Sequence, residues 1–152
     1  MISYNGQNIQ FRYPDNWRPY GEGSATTIAP DGGIINGSLT YGMMISTFDP
    51  DNHGQGRIAL ADATDQLLND LQHSNPNMRI TRSHESMRVD GRQGYLTEAS
   101  NQSPGGGRET DWIVTTIGPD GSVYYFVGVA PQNEFDTYSN AFEDIIETVQ
   151  FR

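Results

Sequence analysis

Two consecutive stretches near the end of the chain are apolar on both faces when they are drawn as β-strands. Residues 110–117 place Trp112 and Ile113 on opposite faces, and residues 122–130 alternate aromatic and β-branched side chains in the same two-sided way. The segment Gly118-Pro119-Asp120-Gly121 between them is typical of a tight turn. Strands that are apolar on both faces are covered above and below. The pattern therefore predicts an antiparallel hairpin at the centre of a sheet.

Other segments also show the period of two that is typical of strands. Residues 9–13 alternate apolar and polar side chains and stop at a proline, which is typical of an edge strand. Residues 39–46 form a predicted strand with one strongly apolar face. Residues 78–89 and 92–100 flank Asp90-Gly91, and Asp-Gly between two strand-like runs favours a two-residue hairpin turn.

Two amphipathic helices are predicted, over residues 58–73 and residues 133–148. Asn75-Pro76 ends the first helix, because the residue before a proline disfavours the helical conformation. The second carries one apolar stripe, which comprises Phe135, Tyr138, Phe142, Ile145, Ile146 and Val149. Together these elements predict one domain over residues 1–152 of the α+β class. In this fold an antiparallel sheet is covered by helices as an α/β/α sandwich.

Composition excludes several classes of partner and chemistry. The chain has 152 residues, 35% of them hydrophobic, which is enough for one full core. A net charge of −10 disfavours nucleic acid and anionic membranes as partners. No apolar run approaches the ~20 residues of a membrane span, so we expect no membrane insertion, and no leader precedes Ile2. The chain lacks cysteine, and all nine basic residues are arginine, which favours a GC-rich bacterial source.

The two ends of the chain resemble a known fold. The opening Phe11–Trp17 and the closing Ala141–Phe151, with this order of elements, are similar to the PsbP/DcrB/Mog-type fold. That group includes photosystem II accessory proteins, bacterial lipoproteins and Ran-binding proteins. The resemblance implies a PsbP-like architecture, and the residues that carry it are fold residues rather than site residues.

A narrower resemblance concerns four internal segments. Thr27–Pro30, Ser74–Arg79, Arg108–Trp112 and Tyr125–Pro131 are similar to a domain that follows Ste-type zinc metallopeptidases in soil bacteria. The zinc-binding His-Glu-x-x-His signature of those enzymes is absent from this chain. The resemblance implies an accessory module of a larger polypeptide that works outside the cytoplasm, with Met1 as an introduced start.

No catalytic residues, cofactor or metal ligands are predicted. His53, His73 and His84 are dispersed, and no Gly-x-Ser-x-Gly elbow or phosphate loop occurs. Residues 49–54 echo the first half of a calcium loop. A calcium loop of the EF-hand type needs a glutamate at its twelfth position, however, and that position is Leu60.

Two groups of residues are candidate binding sites. Glu143, Asp144 and Glu147 give the last helix an acidic outer face. This face is either a solvated surface, as charge runs usually are, or a docking surface for a basic partner. Beside the glycine-rich segment 103–107 lie Arg108, Asp111 and Trp112. These three either bind a small ligand or merely begin a strand in which Trp112 packs in the core.

These observations support three hypotheses of function. The first is a non-catalytic accessory or protein-interaction domain of a bacterial, exported protein, whose partner is another protein or another domain of the parent chain. The second is a small-ligand carrier that uses a cleft near residues 103–112. A hydrolase is disfavoured because the sequence offers no nucleophile–base pair.

Overall fold

The computed structural model describes residues 1–6, 8–21, 25–50 and 58–152. The helices are α1 (Leu60–Ser74) and α2 (Phe135–Glu147), and a 3-10 turn over Gln132–Glu134 leads into α2. Both helices begin two residues later than the sequence patterns predict. The strands of the described residues are β1 (Ile2–Asn5), β2 (Ile9–Tyr13), β3 (Trp17–Tyr20), β4 (Thr26–Pro30), β5 (Ile34–Ile35), β6 (Ser38–Leu39), β7 (Gly42–Phe48), β8 (Arg79–Val89), β9 (Arg92–Gln102), β10 (Arg108–Ile117), β11 (Val123–Pro131) and β12 (Gln150–Phe151).

The larger sheet has seven strands in the order β3-β4-β7-β11-β10-β9-β8, and each neighbouring pair is antiparallel. Strand β11 is the fourth of the seven, and β10 lies beside it. The prediction of a central hairpin over residues 110–130 is therefore confirmed. The two strands are internal because side chains on both of their faces need apolar partners.

The β8–β9 hairpin is also confirmed at its turn. Val89 pairs with Arg92, so Asp90 and Gly91 form a two-residue loop. Both have positive φ angles, 51° at Asp90 and 73° at Gly91. Positive φ angles at both central residues define a type I′ turn, whose twist matches that of the flanking strands. Asp-Gly is a favoured sequence for this turn because both residues tolerate positive φ.

The strand over residues 9–13 is not an edge strand, and that prediction is wrong. Strand β2 lies between β1 and β12 in a separate three-stranded sheet. The predicted division of its faces is confirmed, since Phe11 and Tyr13 are buried whereas Arg12 is exposed. The strand predicted over residues 39–46 begins later, at Gly42, because Leu39 pairs with Ile34 in a short hairpin.

The core comprises two hydrophobic clusters. The first joins Trp112 and Val114 to the α2 side chains Phe142 and Ile145, and it also contains Phe11 of the small sheet. The second joins strand side chains to α1 and includes Leu67, Leu68, Ile113, Val127 and Val129. Trp112 belongs to the first cluster and Ile113 to the second. Because neighbouring strand residues point to opposite faces, the two clusters lie on opposite faces of the larger sheet. The described residues form a β-rich α+β fold with two α-helices.

Candidate functional site

The glycine-rich segment between β9 and β10 is a compact turn. The amide of Ser103 donates to the carbonyl of Gly107 at 2.9 Å, and the amide of Gly106 donates to the carbonyl of Ser103 at 3.0 Å. Gly106 and Gly107 both have positive φ angles. Ser103 is buried, and its Oγ accepts a hydrogen bond from the amide of Gly105. This turn sets the start of β10, where the predicted ligand-binding residues lie.

The structure does not bring Arg108, Asp111 and Trp112 to one surface. Trp112 is 2% exposed, and its ring centroid lies 5.8 Å from that of Phe142 in the core. Arg108 is exposed, and its guanidinium donates to the Ser100 hydroxyl at 3.0 Å and to the Asn77 carbonyl at 3.3 Å. Asp111 and Trp112 point to opposite faces because they are neighbours in a strand. A ligand at the turn would reach Arg108 but not the Trp112 ring.

Asp111 instead forms a buried pair with Glu109, two residues earlier on the same face of β10. Each is 5% exposed. The Nδ2 of Asn101 lies 3.4 Å from Asp111 Oδ2 and also 3.4 Å from Asn75 Oδ1 at the end of α1. Asp111 Oδ1 has no hydrogen-bond partner among the described residues. The pair is thus closed in by β9 and by the C-terminal end of α1.

Burial is the main cause of the shifted pKa values of Glu109 and Asp111. Burial, followed by the hydrogen bond to Asp111 and the negative charge of Asp111, raises the pKa of Glu109 to about 9. Burial also raises the pKa of Asp111, although hydrogen bonds from Glu109 and Asn101 oppose that change. At neutral pH, Glu109 therefore keeps its proton and donates it in a hydrogen bond to Asp111. Glu109 was not among the residues nominated from the sequence; its position two residues before Asp111 in a two-sided strand was the available signal.

The acidic residues of α2 face outward, as their helical spacing predicts. Glu143, Asp144 and Glu147 are exposed, whereas the intervening Ile145 and Ile146 are buried. Within the described ranges, no hydrogen bond or ion pair joins these three carboxylates to another residue. The last turn of α2 contains no basic residue. The negative charge of this face is therefore not paired with any side chain of the described residues.

The outer face of the small sheet, which carries Gln10 and Arg12, has a cleft of about 180 Å³. The cleft is lined by Ser3, Asn5, Gln10, Phe11, Arg12, Thr148 and Gln150. Two further clefts lie near the β8–β9 turn. One of about 400 Å³ is lined by Ser86, Met87, Arg88 and Gln93, and one of about 430 Å³ is lined by Leu60, Gly91, Arg92, Gln93 and Ile117.

Metal-binding geometry is not found in the part of the chain that the structure describes. There, no three His, Asp or Glu side chains are grouped as a metal site would require. Residues 51–57, which include most of the calcium-like segment, lie outside the described residues. None of the described helices is long and apolar enough to cross a lipid bilayer.

The three-stranded and seven-stranded sheets, the two helices α1 and α2 and the central β10–β11 hairpin define a PsbP-like fold. The PsbP family profile matches residues 1–151, and the chain belongs to the PsbP family. No curated protein matches the chain.

Three solved structures share the fold. Cyanobacterial PsbP (CyanoP) from Synechocystis has a TM-score of 0.69 at 12% identity, and the match covers 99% of this chain and 92% of that one. LpqN of Mycobacterium tuberculosis, which is involved in cell envelope biogenesis, has a TM-score of 0.64 at 18% identity, with 94% and 82% covered. PA94 from Pseudomonas aeruginosa, a protein of unknown function, has a TM-score of 0.58 at 14% identity, with 90% and 98% covered.

Proposed function

We propose that the chain is a non-catalytic accessory domain that binds a protein partner through the outer face of α2. The observation that carries the proposal is the exposure of Glu143, Asp144 and Glu147, with which no described residue forms an ion pair. Exposed like charges within one and a half helical turns repel each other by a few tenths of a kcal/mol per pair. A basic partner surface would relieve that repulsion and would be steered toward the face.

The packing of α2 leaves this face available for a partner. The helix directs Phe142, Ile145 and Ile146 into the first hydrophobic cluster, so the carboxylates lie on the side remote from the sheet. We take α1 and α2 to be the outer layers of an α/β/α sandwich. This arrangement is supported by the side chains that α2 contributes to the first cluster and α1 to the second. Binding at α2 would then require no change in the core.

The proposal places the domain in an exported bacterial protein, as an accessory part of a larger polypeptide. Membership of the PsbP family supports the accessory role, and the similarity to LpqN, a protein of cell envelope biogenesis, is in keeping with export. A parent chain that carries a peptidase is one arrangement that the sequence resemblance favours. Reading the complete gene, including what precedes and follows this segment, tests that arrangement directly.

The docking role is tested by neutralising the three carboxylates with amide side chains of nearly the same shape. The variant carries Glu143→Gln, Asp144→Asn and Glu147→Gln, and its matched control carries Asp49→Asn, Asp62→Asn and Asp70→Asn, three exposed carboxylates away from α2. Proteins retained from an extract of the source organism are quantified at low and high salt. We expect a salt-sensitive partner that the wild-type and control proteins retain and the α2 variant loses. Identical retention by all three proteins would rule out docking at this face.

A further inference from the structure

The outer face of the small sheet presents two rows of polar side chains. In the register of β1, β2 and β12, Asn5 lies opposite Gln10 and Gln10 lies opposite Gln150. In the second row, Ser3 lies opposite Arg12. The amide of Arg12 donates to Thr148 Oγ1 at 2.8 Å, which brings Thr148 beside this row. These residues line the cleft of about 180 Å³.

Arg152 fixes the orientation of the amide side chains in the first row. Its guanidinium donates to Gln10 Oε1 and, at 3.2 Å, to Asn5 Oδ1. A guanidinium has no acceptor, so both amides must turn their oxygens toward it. Gln10 in turn donates through Nε2 to Gln150 Oε1. The carbonyl oxygens of all three amides are therefore occupied, whereas the NH₂ groups of Asn5 and Gln150 donate to no described residue.

Arg12 adds a positive charge for which the described residues supply no counterion. Its guanidinium has no hydrogen bond or ion pair with any described residue, and no carboxylate lines the cleft. This is unusual in a chain with 19 acidic and nine basic residues, where carboxylates are the commoner charge. The hydroxyl of Thr148 is already bonded, since it donates to the carbonyl of Ile145 at 2.7 Å. The groups left to a ligand are the Arg12 guanidinium, the Ser3 hydroxyl and two amide NH₂ groups.

We propose that this cleft binds the anionic head of a small molecule, a carboxylate or a phosphate group, with Arg12 as the charged contact. Planar guanidinium donors match the geometry of both oxyanions. The NH₂ groups of Asn5 and Gln150 supply neutral donors on the adjacent row. The cleft is smaller than the ~300 Å³ of a typical drug-sized pocket, so it accommodates one group rather than a whole cofactor. Glu143, Asp144 and Glu147 are not among the cleft residues, so this inference does not rest on the acidic face of α2.

Titration followed by amide chemical shifts tests the proposal. The probes are inorganic phosphate and sodium acetate, each added at constant ionic strength with sodium chloride as the balancing salt. We expect saturable shifts of residues 3–5, 10–12 and 148–150 with a millimolar dissociation constant. Arg12→Gln should weaken binding at least about fivefold, as expected for loss of a charge-assisted hydrogen bond. Saturation by phosphate alone, by acetate alone or by both identifies the group and supports the site.

The matched control is Arg18→Gln. Arg18 is another exposed arginine, and its Nε lies 3.6 Å from Asp31, away from the cleft. This variant should bind like the wild type. Equal binding by the Arg12→Gln variant, equal shifts with chloride alone, or no saturation by either probe up to about 50 mM would overturn the proposal. Asn5→Ala and Gln150→Ala provide a second measurement if Arg12→Gln perturbs folding, and unchanged binding in both would also overturn it.

Discussion

The ring of Phe142 fills the space in which a side chain at Gly128 would lie. A Cβ atom built on Gly128 would come within 2.6 Å of Phe142 Cδ2, closer than real Cβ contacts. Gly128 is in β11 at the centre of the larger sheet, and Phe142 is fully buried in α2. The missing side chain therefore allows the helix to lie close against the strand.

The substitution Gly128→Ala should destabilise the protein by about 1–3 kcal/mol, as overpacking of a dense core does. Urea denaturation measures the change. Phe142→Leu in the same chain should recover part of that loss, because it removes ring atoms from the space that the new methyl group enters. Strictly additive effects of the two substitutions would show that the helix does not meet β11 at this point.

Phe142→Ala should be among the most damaging single substitutions in α2. Phe142 contacts the rings of Trp17, Trp112 and Phe135 at centroid distances of 6.3, 5.8 and 6.4 Å. Its removal leaves a cavity between sheet and helix, with an expected cost of about 3–5 kcal/mol. Tryptophan fluorescence during urea denaturation reports the loss. Glu143→Gln, at the neighbouring exposed position, should leave the midpoint nearly unchanged, and equal effects of the two changes would contradict this packing.

The pair Glu109–Asp111 should make stability decrease as the pH rises. Burial raises the pKa of Glu109 from its ordinary value of 4.5 to about 9, so the folded state binds an extra proton between those two pH values. The contribution to stability is complete below pH 4.5 and is lost progressively as the pH approaches 9. Burial also raises the pKa of Asp111, which acts in the same direction.

Urea denaturation at several pH values between 5 and 9 tests this linkage. Glu109→Gln keeps a donor toward Asp111 but cannot ionise, so the variant should lose much of the pH dependence and be more stable than the wild type near pH 9. Glu143→Gln removes an exposed carboxylate and should keep the wild-type slope. An unchanged slope in the Glu109→Gln variant would show that Glu109 is ionised in the folded chain.

Asp90 has two roles, both of which a conservative substitution should preserve. It adopts a φ angle of 51° in the β8–β9 turn, and its Oδ2 accepts a hydrogen bond from the amide of Phe151 at 3.0 Å. Asp90→Ala loses the hydrogen bond and fits the left-handed conformation poorly, so we expect a loss of about 1–2 kcal/mol. Asp90→Asn keeps an acceptor and the turn preference, and should change the free energy of unfolding by less than about 0.5 kcal/mol. Thermal unfolding of both variants gives the comparison, and equal losses would argue against the turn role.

Strands β7 to β11 of the larger sheet were predictable from local patterns, whereas its strands β3 and β4 and the pairing within the small sheet were not. Asp90-Gly91 marks the β8–β9 hairpin because the turn chemistry and both strands lie within one stretch of sequence. Strand β2 instead pairs with β1 and with the two-residue strand β12, which lies about 140 residues further along the chain. No local turn signal reports such a pairing, so the sequence revealed the faces of β2 but not its neighbours.

The candidate sites, too, were predictable only where a local sequence pattern determines the position of the side chain. The helical period alone places Glu143 and Glu147 away from the core, and the structure agrees. Alternation along β10 already implied that Asp111 and Trp112 could not line one surface. The burial of Glu109 could not be inferred, because it depends on Asn101 and on the end of α1, which approach only in the folded chain.

The position of β11 has a consequence for how the nascent protein acquires its structure. Strands β3, β4 and β7 form one side of the larger sheet and β8, β9 and β10 form the other, and β11 alone joins the two sides. On the ribosome, both groups of strands are synthesised before residues 123–131, and each keeps an open edge until then. Insertion of one late strand closes both edges at once. A chain that stalls shortly before this point would expose two unpaired strand edges, the feature from which intermolecular association most readily starts.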